Sequence, residues 1–221
     1  MSMGRVLVAM VCLFVLLHGL AAGLYPGGTW FHRGAEGYDL WLNFLCDVTQ
    51  PTALNGAPNA LGARLGVASF AALCGALGAL WWHLAGVITP VAPRRGRWLA
   101  WVGTVGCLAL VAVPLTPSLR FGHLHAAVVL LAVTASLAAL VMAVAAIARH
   151  LGSHRVLRAM GDALVLLVTL DAVLYAVSLP RWGVMLTALP MVQKLATLLG
   201  LGWMLCLARL APLSAPRSET A

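Results

Sequence analysis

AAVVLLAVTASLAALVMAVAAIA, residues 126–148, runs for 23 residues without one charged side chain. Wound as a helix rising 1.5 Å per residue, such a run covers the roughly 30 Å of a bilayer's hydrocarbon core. Working outward from it, five further apolar runs bring the total to six, at roughly 5–24, 61–84, 98–115, 123–148, 161–179 and 190–210. The chain has 221 residues, 62% hydrophobic and 9% charged, with a mean hydropathy of +0.96. That composition leaves no stretch able to form a soluble domain. The expected fold class is all-α: a polytopic bundle of six transmembrane helices, with a long outer loop carrying a short interfacial helix. One membrane domain is expected over 1–210, including the loop at 25–60. The Pro- and Ser-containing tail at 211–221 is expected to be disordered and cytoplasmic.

The net charge of +8 is distributed by membrane side rather than gathered into a nucleic-acid surface. Arg5, Arg94, Arg95, Arg97, Arg149, Arg155, Arg158, Arg209 and Arg217 fall on one side of the six spans. Arg33, Arg64, Arg120 and Arg181 fall on the other, with Lys194 just inside the last span. Nine against five follows the positive-inside rule and predicts that both termini are cytoplasmic. No nucleic-acid partner is expected; the expected partners are membrane lipids, including anionic headgroups. Thirteen arginines against one lysine, with heavy use of Ala and Gly, suggest a GC-rich bacterial genome and hence a bacterial cytoplasmic (inner) membrane. Arg5 followed by an apolar run ending in Ala21-Ala22-Gly23 resembles a signal peptide. The run is longer than a typical signal core, so residues 1–23 are expected to stay as the first helix.

Connections between spans are short. PRRGR (93–97) reads as an inner turn, PLTPSLRFG (114–122) as an outer turn, and ARHLGSHRVLRAM (148–160) as an inner stretch with room for a brief interfacial helix. LPRWGVMLTALP (179–190) is outer, with Trp182 at headgroup level. The exception is the segment 25–60, too long for a simple turn. YPGG (25–28) leads out of the first span. In GYDLWLNFLCDVTQ (37–50), Leu40, Trp41, Phe44, Leu45 and Val48 repeat at helical spacing, and Asp39, Asn43, Asp47 and Gln50 take the opposite side. This predicts an amphipathic helix over 39–50 lying in the outer interface with its apolar side down. NGAPN (55–59) supplies turn chemistry through Asn55-Gly56, after which Asn59 is placed to cap the second span. Arg64, one turn further, is placed to meet a loop carboxylate.

YPGG, then GYDLWLNFLCDV, then NGAPN before an apolar helix, resembles the bacterial membrane proteins grouped as domain of unknown function 998. The resemblance covers residues 25–60. That family is in turn distantly similar to the eukaryotic Frag and DRAM membrane proteins, linked to GPI-anchor remodelling and autophagy. The resemblance implies a six-helix fold with the polar loop outside, and it names no substrate.

Several residues are candidates for chemistry. Asp39, Asn43 and Asp47 present oxygens that suit a cation or a lipid headgroup. The same residues suit bracing of the helix ends, and the sequence leaves both open. Asp171 lies near mid-bilayer, with Tyr175 and Ser178 continuing a polar stripe along its helix. A carboxylate at that depth should face the bundle and be matched by Lys194 or a polar neighbour such as Gln193 or Thr197. His18, His123 and His125 share the outer side. The two at i and i+2 point about 200° apart on a helix, so no tightly held metal is expected. His83, His150 and His154 read as interface residues on the inner side. Cys46 is the one cysteine in an outer loop, so no disulfide is expected.

The expected ligand pocket comprises Asp39, Asn43, Asp47, Asn55, Asn59, Arg64, His123, Asp171, Tyr175 and Lys194, with no cofactor. No phosphate-binding glycine loop, GxSxG or CxxC occurs. The expected function is recognition or modification of a lipid or lipid-linked molecule at the outer leaflet. The alternative is a non-enzymatic scaffold or accessory subunit with a membrane-protein partner. A proton-coupled carrier or an intramembrane metal hydrolase ranks lower.

Overall fold

The computed structural model describes residues 2–151, 154–179, 186–211 and 213. Trp182, Arg181 and most of the tail 211–221 lie outside the described residues. Six helices are long and apolar enough to cross a membrane: α1 (Met3–Gly23), α2 (Ala60–Ile88), α3 (Pro93–Leu115), α5 (His123–His150), α6 (Arg155–Ser178) and α7 (Ala188–Leu207). A four-residue helix, α4 (Ser118–Phe121), sits in the turn between α3 and α5, and a 3-10 helix, η1 (Leu45–Thr49), in the long loop. No strand occurs among the described residues; two isolated bridges pair Gly27 with Glu36 and Thr52 with Pro58. Each long helix packs on the next, and α7 returns to α1, so the bundle closes on itself.

Several boundaries move from their expected places. PRRGR is the first turn of α3, since Pro93 occupies the first helical position, where a missing N–H costs nothing. The turn before it is therefore 89–92. α2 continues to Ile88 and α6 begins at Arg155. Residues 148–150 accordingly complete α5 and 155–160 start α6, and no separate interfacial helix occurs among the described residues.

The two ends of the bundle are packed differently. At the end that holds the start of α1 and the end of α7, a continuous core joins Leu80, Leu84, Leu99, Ile147, Trp203 and Leu207, all buried. Small residues let the backbones approach there. Gly161 lies against Val144 and Trp203, and a Cβ on Gly103 would overlap the indole of Trp81. Trp203 Nε1 donates to Leu157 O at 2.9 Å, and a bond of 3.1 Å joins His83 Nε2 to Leu207 O. The loop end is more open. The residues that α6 buries are Leu157, Gly161 and Leu164 near its start and Ser178 at its end, with none between.

Candidate functional site

The loop of residues 25–59 folds as a cap, and the parts singled out in its sequence meet within it. Tyr25 and Leu54 are joined by a bond from Leu54 N to the Tyr25 hydroxyl, 3.0 Å. Asn55 donates from its main chain to Gly27 O and from Nδ2 to Pro26 O. Arg33 lies over the Trp30 ring, 4.6 Å from its centroid, and reaches Leu54 O. Gly28, with φ +85°, has Leu54 and Asn55 where a side chain would go. Its carbonyl accepts Asn43 Nδ2 at 2.8 Å. YPGG and NGAPN are thus the two edges of one folded unit, and Asn43 is its central pin.

The amphipathic helix expected over 39–50 is absent; turns occupy 40–42, and helix is confined to η1. The reason lies in the polar residues that suggested it. Asp39 Oδ1 accepts the main-chain N–H groups of Trp41 and Leu42, at 2.8 and 3.0 Å, and Asn43 Oδ1 accepts Asp39 N. Asp47 Oδ2 accepts Asn43 Nδ2 at 2.9 Å and Phe44 N at 2.8 Å, while Oδ1 takes Trp30 Nε1 at 3.3 Å. Short Asx side chains compete with the backbone for its own donors, which favours turns over helix. The two faces are mixed as a result: Phe44, Leu45 and Val48 are buried, but so are the polar side chains between them. Asn43 and Asp47 are 0% exposed, whereas Leu40 and Trp41 are exposed.

Lys194 completes this network. It is 5% exposed, and its ammonium donates to Asn43 O from α7 while lying 5.4 Å from the centre of the Tyr38 ring. Burial pushes the Asp47 carboxyl up to about 6, against the opposing pull of Asn43, Phe44 and Trp30 as donors. Burial likewise raises Tyr38 well above the ordinary phenol range, with Asp47 adding to the effect.

Beneath the cap lies a cavity of about 270 Å³ between α2, α3, α5, α6 and α7. Trp30, Phe44, Leu45 and Cys46 roof it. Leu73, Leu77, Leu110, Val129, Val168 and Leu201 are among its apolar walls. The roof is bonded to three helices: Leu45 N to Gln193 Oε1 at 2.9 Å, Gln50 Nε2 to Ser118 Oγ at 2.8 Å, and Cys46 Sγ to His125 Nε2 at 3.9 Å. Asp171 and Tyr175 enter from α6, along the part that buries no residue fully. Asp171 Oδ1 is buried and has no hydrogen-bond partner among the described residues.

No family model matches the chain, and no curated protein or solved structure matches it.

The expected pocket residues divide into three groups. Asp171 and Tyr175 line the cavity. Asp171 faces the bundle as expected, but Lys194 donates to Asn43 O in the cap instead of pairing with it. Asn43, Asp47, Asn55, Asn59 and Lys194 hold the cap together. Asn59 occupies the N-cap position of α2 without a capping side-chain bond; its Nδ2 donates to Val48 O and Gln50 O. Asp39 stands partly exposed at the cap's edge. Arg64 and His123 lie exposed and outside the cavity lining. Arg64 meets no loop carboxylate, since the one ion pair among the described residues joins Arg158 to Asp162.

His125 takes the place expected for His123. It is buried, with Nδ1 2.6 Å from Thr116 O. The divergence of i and i+2 already separated the two histidines; which one turned inward depended on how α4 ends at Gly122. His18 lies apart from both, 3.4 Å from Ser69 Oγ and edge-on to Tyr38. Among the described residues no three or more His, Cys, Asp or Glu side chains gather as metal ligands would. Trp30 and Cys46 went unselected because an aromatic and a thiol in a loop carry no spacing signal.

Proposed function

We propose that the protein binds the acyl chain of a lipid or lipid-linked molecule in the cavity beneath residues 25–59, entering from the outer leaflet of a bacterial cytoplasmic membrane. The observation that carries this reading is the cavity itself: apolar walls, with the partnerless Asp171 carboxyl and the Tyr175 hydroxyl among them. Ligand sites pair apolar lining with a few placed polar groups. A polar group left unpaired in apolar surroundings costs free energy that a ligand's headgroup or linkage would recover. The gap in burial along α6 gives an acyl chain a lateral way in. The arginine distribution supports cytoplasmic termini and an outward-facing cap. The resemblance of residues 25–60 to domain of unknown function 998 fits the same orientation.

The test is native mass spectrometry of the full chain released from mild detergent. The expected result is a lipid retained by the wild type and lost in Ala172→Phe, whose ring would fill the cavity beside Asp171. A wild type that carries no lipid, or a variant that keeps it, would overturn the reading. A scaffold role is favoured by one observation, that the buried Asn43, Asp47 and Lys194 spend their bonds on one another and on the cap's main chain. Under that reading the same spectra would contain a protein partner in fixed ratio and no lipid.

A further inference from the structure

Five cysteines occur in the chain, and one of them differs in its surroundings. Cys74 and Cys107 are buried among helices, Cys12 and Cys206 are exposed on helix surfaces, and none of these four has a histidine within hydrogen-bond reach. Cys46 sits in the roof of the cavity with His125 Nε2 3.9 Å from its sulfur. The geometry also fixes the state of that ring. Thr116 O can only accept, so the 2.6 Å contact places the proton of neutral His125 on Nδ1. Nε2 then keeps its lone pair and directs it at the thiol. A nucleophile, a base, and a third group that orients the base is the arrangement that activates serine and cysteine nucleophiles. Here the third group is a main-chain carbonyl.

The neighbours supply the rest. Leu45 N, beside the thiol, is held by Gln193, which fixes the roof's position over the cavity. Tyr175 lines the same space, where its hydroxyl can donate to an oxyanion. Burial, with Asp47 next, pushes the Cys46 thiol above its ordinary range. The resting sulfur therefore keeps its proton and depends on a base to react.

We propose that Cys46 accepts an acyl group from an O-acyl lipid ester whose chain lies in the cavity, with His125 as general base. This rests on the acyl-chain reading above and adds a reaction to it. In the forward step Cys46 Sγ bonds to the ester carbonyl carbon as His125 Nε2 takes the thiol proton. Collapse breaks the carbon–oxygen bond, and the departing alkoxide receives that proton from His125. The products are a Cys46 thioester and a free alcohol, with no oxidant or further reactant needed. Transfer of the acyl group to a second alcohol, an amine or water would restore the thiol by the same base.

The experiment uses the full chain in mild detergent with p-nitrophenyl octanoate, an activated ester with a chain short enough for the cavity. The expected result is a burst of about one p-nitrophenolate per chain, with the octanoyl mass on the Cys46 peptide and removed by neutral hydroxylamine. Cys46→Ser and Cys46→Ala should each abolish the thioester. His125→Gln, which retains a donor for Thr116 O, should slow the burst at least roughly tenfold and leave a rate that climbs with pH as thiolate forms. Octanoylation spread over Cys12 and Cys206, or a burst unchanged in His125→Gln, would overturn the proposal. Native spectra separate the two readings. Lipid retained by a chain that fails to acylate Cys46 overturns the thiol proposal alone. Absence of both lipid and thioester overturns both.

Discussion

Lys194 of α7 donates its ammonium to the main-chain oxygen of Asn43, 151 positions away, and so ties the last helix to the middle of the first loop. A buried lysine that bonds a carbonyl instead of a carboxylate is an electrostatic compromise. No carboxylate among the described residues lies within ion-pair distance of it. The bond also bears on function, since Asn43 precedes the Phe44, Leu45 and Cys46 of the cavity roof.

Replacing Lys194 by Met should therefore loosen the roof more than the bundle. The Asn43 carbonyl would be left buried without its donor, costing about 1–3 kcal/mol. The expected outcome is a lower apparent melting temperature in detergent and faster maleimide labelling of Cys46, with Cys74 and Cys107 unchanged. Equal acceleration at all three thiols would mean that Lys194 holds the whole bundle and not the roof. Asp171→Asn combined with Lys194→Met should depart from additivity by less than a bonded pair would, because the two side chains do not hydrogen-bond and interact only through their charges.

The Asn43 side chain makes three bonds, the buried ones to Gly28 O and Asp47 Oδ2 and a partly buried one from Asp39 N. Asn43→Ala removes all three and should destabilise the protein by roughly 3 kcal/mol. Asn43→Asp keeps the shape but sets a second carboxylate against Asp47 and removes the donor to Gly28 O. At neutral pH it should be the worse of the two, with part of its loss recovered on acidification as the pair takes up a proton. Thermal unfolding of both variants at neutral and mildly acid pH checks the order. Asn43→Asp more stable than Asn43→Ala at neutral pH would contradict it.

The six spans were legible because a run such as 126–148 has one physical outcome in a membrane, whatever its neighbours do. Asp171 was legible for the same reason, since a deep carboxyl must turn inward. The loop was not. Its spacing at 39–50 fits a helix, yet Asp39, Asn43 and Asp47 bond backbone groups that a helix would have used. Which of those outcomes wins depends on Gly28, Trp30 and Lys194, partners far away in sequence. The cavity was illegible too, because it is made by what five helices leave unfilled. His125 and Cys46 come together only through that packing.

Topology is checked by accessibility. In a chain whose exposed Cys12 and Cys206 are replaced by Ser, a thiol at Thr52 should react with a membrane-impermeant reagent added outside intact cells, and one at Arg95 should not. Both positions are exposed. Gly96 would be a poor choice, since it is buried in the first turn of α3 against Thr89. Labelling at Arg95 and none at Thr52 would reverse the orientation.

The last prediction concerns pH and Asp47. Its carboxyl is wholly buried, and desolvation raises it from about 4 in the unfolded chain to about 6 in the fold. A folded value above the unfolded one means that the native state holds the proton more tightly. The stability this contributes is complete below the unfolded value and is lost as pH rises through about 6. Between pH 7 and pH 5 the protein should therefore gain about 1 kcal/mol from this group alone. Other groups titrate over the same window, so the informative quantity is the difference between the wild type and Asp47→Asn. The variant cannot titrate there and gives up only the weakest of the three bonds, the 3.3 Å contact from Trp30 Nε1. Unfolding in detergent across that range should find the wild type improving relative to the variant as pH falls. A difference that stays flat, or that shrinks on acidification, would mean that the three donors and Lys194 outweigh burial and hold Asp47 ionised throughout.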